Sequence, residues 1–282
     1  MKIIRSARNL TKLIARFKSQ RKKIGFVPTM GFLHKGHTAL LRRCRKENDI
    51  SILSIFVNPA QFSPTEDYRR YPRDLNHDKF FAKKENVDII FYPSVDDMYP
   101  KRYRTFVEVE RLSNELCGRF RPGHFKGVAT IVAKLLHIVS PDVMYLGQKD
   151  AQQAMLLTKM VEDLNFPTRI KILPTVREKD GLAMSSRNSY LNPQERKIAV
   201  ALFQALSHAK TLVGNGEHNP RKITKTIRAT LNRARAFKID YIECRDAKTL
   251  VPLKAIKGRV LIALAAWLGK TRLIDNIVVQ AK

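Results

Sequence analysis

Through the first 174 residues, short apolar runs alternate with stretches of helical period. Residues 24–28, 50–58, 87–92, 143–146 and 170–173 are such runs, bounded by turn-forming residues. Nearly continuous apolar runs of this length read as strands buried on both faces, and their alternation with helical patterns predicts a parallel sheet with helices on both sides. Before the first run, Ile3, Ala7, Leu10, Ile14 and Phe17 recur at three- and four-residue spacing, which predicts one amphipathic helix packed on the core. Beyond 174 the pattern changes. Asn192-Pro193-Gln194-Glu195 carries a capping Asn, a Pro at the first helical position and a Glu three residues after the cap. That helix is expected to run to Val213 and stop at Gly214-Asn215-Gly216, with a second helix over 220–236. Strand patterns at 240–245, 259–266 and 273–279 then predict a small antiparallel sheet. The expected organisation is a nucleotide-binding, Rossmann-like α/β domain over 1–174 and a smaller α+β lid domain over 175–282.

Charge changes this picture only in part. The chain of 282 residues has 53 Lys and Arg against 25 Asp and Glu, a net +28. The excess sits at the ends: residues 1–46 hold 14 basic and no acidic residues, and 221–282 hold 15 against 4. A disordered polycation is excluded by the 44% hydrophobic content. The longest apolar run, 260–268, is about half of the roughly 18 residues that a membrane-spanning helix needs. The acid-free N-terminus could serve as a presequence, but its stripe leads straight into a strand-like run with no cleavage-type linker. Cys44, Cys117 and Cys244 are far apart and form no CxxC pair, which fits a reducing, cytoplasmic setting and gives no thiolate metal site.

Candidate chemistry gathers after the strand-like runs. Gly25 to His37 contains His34-Lys-Gly-His37, an HxGH pattern after the first run, with a helix expected to begin near His37. Helix N-termini at the carboxyl ends of parallel strands attract phosphate, and Gly36 lets a base or phosphate approach the backbone. His34 and His37 can then face one phosphate and donate to charge developing on it. A partial metal site or plain helix-surface residues remain open for such a short motif, although no third ligand lies near. Gly147-Gln-Lys-Asp-Ala-Gln-Gln153 follows another run. There Lys149 can reach a polyphosphate and Asp150 can accept from ribose hydroxyls, unless this is an ordinary helix start. Met184-Ser185-Ser186-Arg187 occupies an expected interdomain loop, where two hydroxyls and a guanidinium suit a leaving pyrophosphate and a solvated loop is the plainer alternative. Asn58 and Gln61 are neutral amides that suit an uncharged or hydroxylated substrate, and Arg121 adds a cation. No GxxxxGK[ST], GxGxxG or GxSxG pattern is present. Handling ATP without a phosphate loop points to adenylyl transfer.

Six blocks in order carry a family resemblance: Gly25 to His37, Phe56-Val-Asn-Pro-Ala-Gln-Phe62, Tyr71-Pro-Arg73, Arg121-Pro-Gly-His-Phe125, Gly147 to Gln153, and Thr175 to Asn188. On these residues the chain resembles the pantothenate synthetases, or pantoate–β-alanine ligases. The resemblance implies a Rossmann-like adenylate-forming ligase related to class I aminoacyl-tRNA synthetases. It implies that pantoate and ATP form pantoyl adenylate and pyrophosphate, and that β-alanine then displaces AMP to give pantothenate, with Mg²⁺ carried in on ATP and no dedicated metal cage. It further implies an ATP site of Met30, Gly31, His34, Gly36, His37, Gly147, Lys149, Asp150, Val176, Met184, Ser185, Ser186 and Arg187. Within that set His37, His34, Lys149, Ser185, Ser186 and Arg187 carry the chemistry. Asn58, Gln61 and Gln153 are implied to hold pantoate, with Tyr71 and Arg121 helping to close the site. Gln148 stands where the family usually has Glu, and a homodimer is the implied assembly.

Two competing functions differ in what they need from these residues. A nucleotidyltransferase acting on a phosphorylated acceptor needs cations where Asn58, Gln61 and Gln153 stand. An RNA-binding protein is suggested by the charge alone, but the basic 220–236 segment has only Phe237 nearby and no recognised module. No specific nucleic acid and no membrane is therefore expected as a partner. Part of the basic excess is expected to draw anionic ATP and pantoate.

Overall fold

Residues 1–281 are described by a computed structural model. In chain order they form β1 (Lys2–Ile4), α1 (Ala7–Ser19), β2 (Ile24–Thr29), α2 (Lys35–Glu47), β3 (Ile50–Ile55), α3 (Leu75–Lys84), β4 (Ile89–Phe91), α4 (Val95–Met98), α5 (Cys117–Phe120), α6 (His124–Val139), β5 (Val143–Gly147), α7 (Ala151–Asp163) and β6 (Arg169–Leu173). The six strands make one parallel sheet in the order β1-β4-β3-β2-β5-β6. Consecutive strand residues such as Phe26 and Val27, or Ile52 and Leu53, are all fully buried, so both faces are covered. On one face Val27, Leu53, Ile90 and Tyr145 pack against Leu40, Leu41 and Cys44 of α2 and Ala82 of α3. α6 lies against α1 and β2.

The chain moves outward from β2 through β3 to β4, then crosses back to place β5 on the other side of β2. Phe26 pairs with Met144 across that junction. The carboxyl ends of β2 and β5 therefore flank the point where strand order reverses, which is where open α/β sheets bind ligands.

The remaining elements are α8 (Pro193–Ile198), α9 (Ala201–Gly214), α10 (Pro220–Arg233), β7 (Phe237–Asp246), β8 (Gly258–Leu268) and β9 (Thr271–Ala281). β7, β8 and β9 form an antiparallel sheet. Val260, Ile262, Leu264, Ala266 and Leu268 alternate on the face that meets Leu202, Leu206 and Ala209 of α9 and Ile223, Ile227 and Leu231 of α10.

By backbone proximity the chain divides into two units: Met1–Asn114, Arg121–Gln148 and Gln153–Pro174 in the first; Glu115–Phe120, Lys149–Gln152 and Thr175 onward in the second. Two pieces that a division at 174 leaves in the first domain thus join the second. Long-range bonds hold them there: Arg245 pairs with Glu115 at 2.9 Å, and Asn276 Nδ2 donates to the Lys149 carbonyl at 2.8 Å.

Other differences are local. Ile3 lies in β1, opposite Ile90, rather than on the first helix, which starts at Ala7 with Ser6 as its cap. Leu10 and Ile14 are the buried part of the helical stripe. The second expected strand stops at Ile55, because Asn58 opens a 3-10 turn over Pro59–Gln61. The Asn192–Glu195 cap forms as expected, but the helix breaks at Ala199 and Val200, whose ψ of −25° is the 3-10 value. α10 ends at Arg233, short of 236.

Candidate active site

In the first unit, the loop between β2 and α2 is held from below. Gly31 (φ +85°) and Phe32 (φ +51°) both take the left-handed conformation, and a Cβ on Gly31 would meet Asp78 Oδ2 at 2.8 Å. The buried Asp78 carboxylate of α3 accepts from Phe32 N–H at 3.1 Å and from Leu33 N–H at 2.7 Å. Burial pushes that carboxyl above its ordinary pKa, while the two amide donors pull the other way. The helix then begins at Lys35, two residues before the expected start, with His34 as its cap.

This capping decides the chemistry of the two histidines. His34 Nδ1 accepts from Gly36 N–H at 3.1 Å, and His37 Nδ1 accepts from His34 N–H at 3.3 Å. With Nδ1 acting as the acceptor, the neutral form of either ring carries its proton on Nε2. The rings lie 4.0 Å apart, so two imidazole N–H donors stand together at a helix N-terminus.

The Asn58–Gln61 turn sits against α6. Asn58 Nδ2 donates to Gln61 Oε1 at 3.1 Å and to the Gly127 carbonyl at 3.0 Å; its Oδ1 accepts from Ala60 N–H at 3.3 Å and Tyr99 O–H at 2.8 Å. Two donors and two acceptors are all the bonds this amide can make, so Asn58 has none to offer a substrate. Gln61 Nε2 lies 3.2 Å from Met30 Sδ, which brings the two expected residues together. Arg121 is not a loose cation: it pairs with Glu66, touches His124 Nε2 at 3.0 Å, and its side chain is 12% exposed. His124 Nδ1 in turn meets the Gln61 carbonyl at 2.8 Å. Arg121 and His124 therefore brace the turn. Tyr71 is buried edge-on to Phe62. Gln153 is half-buried in the first full turn of α7, and Gly147 ends β5 with open space where a Cβ would stand.

The second unit carries the other expected residues on one hydrogen-bonded frame. Arg177 binds Asp275 at 2.6 and 3.0 Å and also the carbonyls of Gly181 and Asn276. It bridges to Ala183, and Met184 N–H donates to the Val176 carbonyl at 3.0 Å, closing a small hairpin ahead of Ser185. Because Asn276 also holds the Lys149 carbonyl, Lys149 and the Met184–Arg187 segment hang from the same part of β9. Lys149 Nζ is 3.3 Å from Asp150. Met184 and Ser186 are each 7% exposed, and Ser185 caps a 3-10 turn by accepting from Arg187 N–H at 3.3 Å. This segment is thus a packed part of the second unit, not a solvated loop between domains.

Asp78, Tyr99, His124, Gly127, Arg177, Asp275 and Asn276 escaped the sequence reading as site-forming residues. His124 and Arg177 lie inside blocks already singled out; the others have no local signal, because their partners are far away in sequence. Burial pushes the Cys44 and Cys244 thiols up to about 12, which keeps both protonated and unreactive. Among the described residues no group of three or more His, Cys, Asp or Glu is placed to hold a metal ion, and no helix is long and apolar enough to cross a membrane.

Residues 2–278 match the family model described as pantoate-beta-alanine ligase. A pantothenate synthetase of Thermotoga neapolitana is 53% identical over 278 residues, 99% of each chain. Another from Caldicellulosiruptor saccharolyticus is 51% identical over 280 residues, covering 99% of this chain and all of its own. The crystal structure of pantothenate synthetase from Thermus thermophilus superposes with a TM-score of 0.94 at 42% identity, covering 98% of this chain and 99% of that one. A pantoate-beta-alanine ligase from Francisella tularensis, complexed with beta-gamma ATP and beta-alanine, superposes at 0.82 with 37% identity over 99% and 97% of the two chains.

Proposed function

Because the chain belongs to the pantoate–β-alanine ligase family, we propose that it joins pantoate to β-alanine through a pantoyl-adenylate intermediate. In the first step the pantoate carboxylate attacks the α-phosphorus of ATP and pyrophosphate leaves. In the second, the β-alanine amine attacks the adenylate carbonyl, AMP leaves, and a proton goes to solvent. Both nucleophiles come from substrates, so the protein's task is positioning and stabilising charge. ATP arrives with Mg²⁺, which neutralises part of the phosphate charge.

The observation that carries this reading is the His34–His37 pair, each ring anchored through Nδ1 where a helix begins beside the reversal of strand order. His37 donates to the phosphate oxygens as charge builds on them, and His34 assists. Met30, Gly31, Gly36 and Gly147 line the nucleotide, with open space beside Gly147 for its approach. Lys149 serves the phosphates, Asp150 the ribose, and Val176 and Met184–Arg187 the nucleotide and its leaving pyrophosphate. Gln61 and Gln153 bind pantoate, and Tyr71 closes over it. Asn58 and Arg121 act on Gln61 rather than on substrate. Neutral amides at 61 and 153 favour a non-phosphorylated acid over a phosphorylated acceptor. The working form is a homodimer in the cytoplasm, an assembly that sedimentation would measure.

Pantoate-dependent ATP–pyrophosphate exchange tests the reaction. The unaltered chain should exchange only with pantoate present. His37→Ala should lower exchange about 10²- to 10³-fold, the scale for removing one donor to developing charge, with an unchanged unfolding midpoint. Exchange without pantoate, or full activity in His37→Ala, refutes the assignment.

A further inference from the structure

β3 and β4 are parallel neighbours, so the segments leaving their carboxyl ends lie side by side. One leads to Asn58; the other leads through α4 to Tyr99. The Tyr99 ring packs 6.4 Å from Phe56 and 5.0 Å, edge-on, from Tyr103, with the Lys134 ammonium 5.4 Å from its centre. Its hydroxyl reaches Asn58 Oδ1 at 2.8 Å.

The direction of every bond in this chain is set by its ends. Ala60 N–H can only donate, so the Asn58 atom facing it is the carbonyl oxygen. The Gly127 carbonyl can only accept, so the atom facing it is the Asn58 amide nitrogen. That nitrogen is 3.1 Å from Gln61, which must therefore present its own oxygen inward and its N–H₂ outward, toward Met30. Since Asn58 Oδ1 accepts, Tyr99 donates. Burial raises the Tyr99 pKa above its ordinary value, so the hydroxyl keeps that proton at any working pH.

We propose that Tyr99 is a positioning residue for substrate recognition: through Asn58 it holds the Gln61 amide with its N–H₂ presented to the oxygens of the acid substrate. The proposal rests on Gln61 being a pantoate ligand. Tyr99 touches no substrate in this scheme. Without its hydroxyl, Asn58 Oδ1 keeps only the long 3.3 Å bond from Ala60, and the amide that faces Gln61 is held chiefly by its bond to the Gly127 carbonyl.

The test compares the KM for pantoate and for ATP in the full-length enzyme and in Tyr99→Phe, Gln61→Ala, the double variant and Gln61→Glu. Tyr99→Phe keeps the ring. It should raise the pantoate KM about three- to tenfold, the worth of one hydrogen bond, and leave the ATP KM within about twofold. In the double variant Tyr99→Phe should add nothing to Gln61→Ala. Gln61→Glu places an anion where the N–H₂ stood and should raise the pantoate KM more than Gln61→Ala does. An unchanged pantoate KM in Tyr99→Phe, a matching rise in the ATP KM, multiplying effects in the double variant, or a Glu variant that binds pantoate better than the Ala variant overturns the proposal. If Gln61→Ala itself leaves the pantoate KM unchanged, the reading of Gln61 falls, and the proposal with it.

Discussion

Gly127 shows how a residue without a side chain can set the geometry of the Asn58–Gln61 turn. It sits in the second turn of α6, and a methyl group added there would lie 2.6 Å from Gln61 N and closer still to the Ala60 carbonyl. Both are backbone atoms, so no flexible side chain can yield. Restoring a normal separation of about 3.5 Å forces the 59–61 turn outward by about 1 Å. Overpacking of this kind costs about 1–3 kcal/mol, while replacing a helical Gly by Ala returns about 1 kcal/mol. Gly127→Ala should therefore lose only about 0–2 kcal/mol of stability. The turn carries Gln61, however, and a 1 Å misplacement of a positioning group can cost on the order of 10²-fold in rate. Urea unfolding followed against pantoate-dependent ATP–pyrophosphate exchange separates the two effects. A large loss of exchange with near-normal stability is expected. Near-normal exchange, or a loss only in proportion to the unfolded fraction, would refute the reasoning.

Two further predictions concern stability. In Arg177→Ala, Asp275 is left 2% exposed without its guanidinium partner, so the variant should lose about 3–5 kcal/mol in urea unfolding; a loss below about 1 kcal/mol would show that the pair does not hold the hairpin before Ser185. The Glu47 carboxyl is lowered to about 2, chiefly by its bond from Lys171 at 2.5 Å, with Tyr145 O–H and Arg43 adding to it. Because the folded value is the lower one, this carboxylate stabilises the fold above the ordinary Glu range, and the contribution drains away as pH falls through about 2. Tm measured from pH 5 downward should fall less steeply in Glu47→Gln than in the unaltered chain, and parallel slopes would remove Glu47 from the acid limb.

Local signals carried most of the architecture. Strand-like runs such as 143–146, the Asn192–Glu195 cap and the apolar run of 260–268 depend on residues within a few positions of one another, so they survive reading in one dimension. The HxGH and Met184–Arg187 segments were visible for the same reason, since each is contiguous. Strand order was not visible, because which strand neighbours β2 depends on how the crossovers pack. Nor was the state of the side chains. Asn58 and Arg121 read as groups available to a substrate, yet their partners lie at Gly127, Tyr99 and Glu66, tens of residues away. Residue types and spacing determined which chemistry this chain could perform. Folding decided which of those polar groups spend their hydrogen bonds on the protein and which face a ligand, because a buried polar atom must be satisfied by whatever the fold brings beside it.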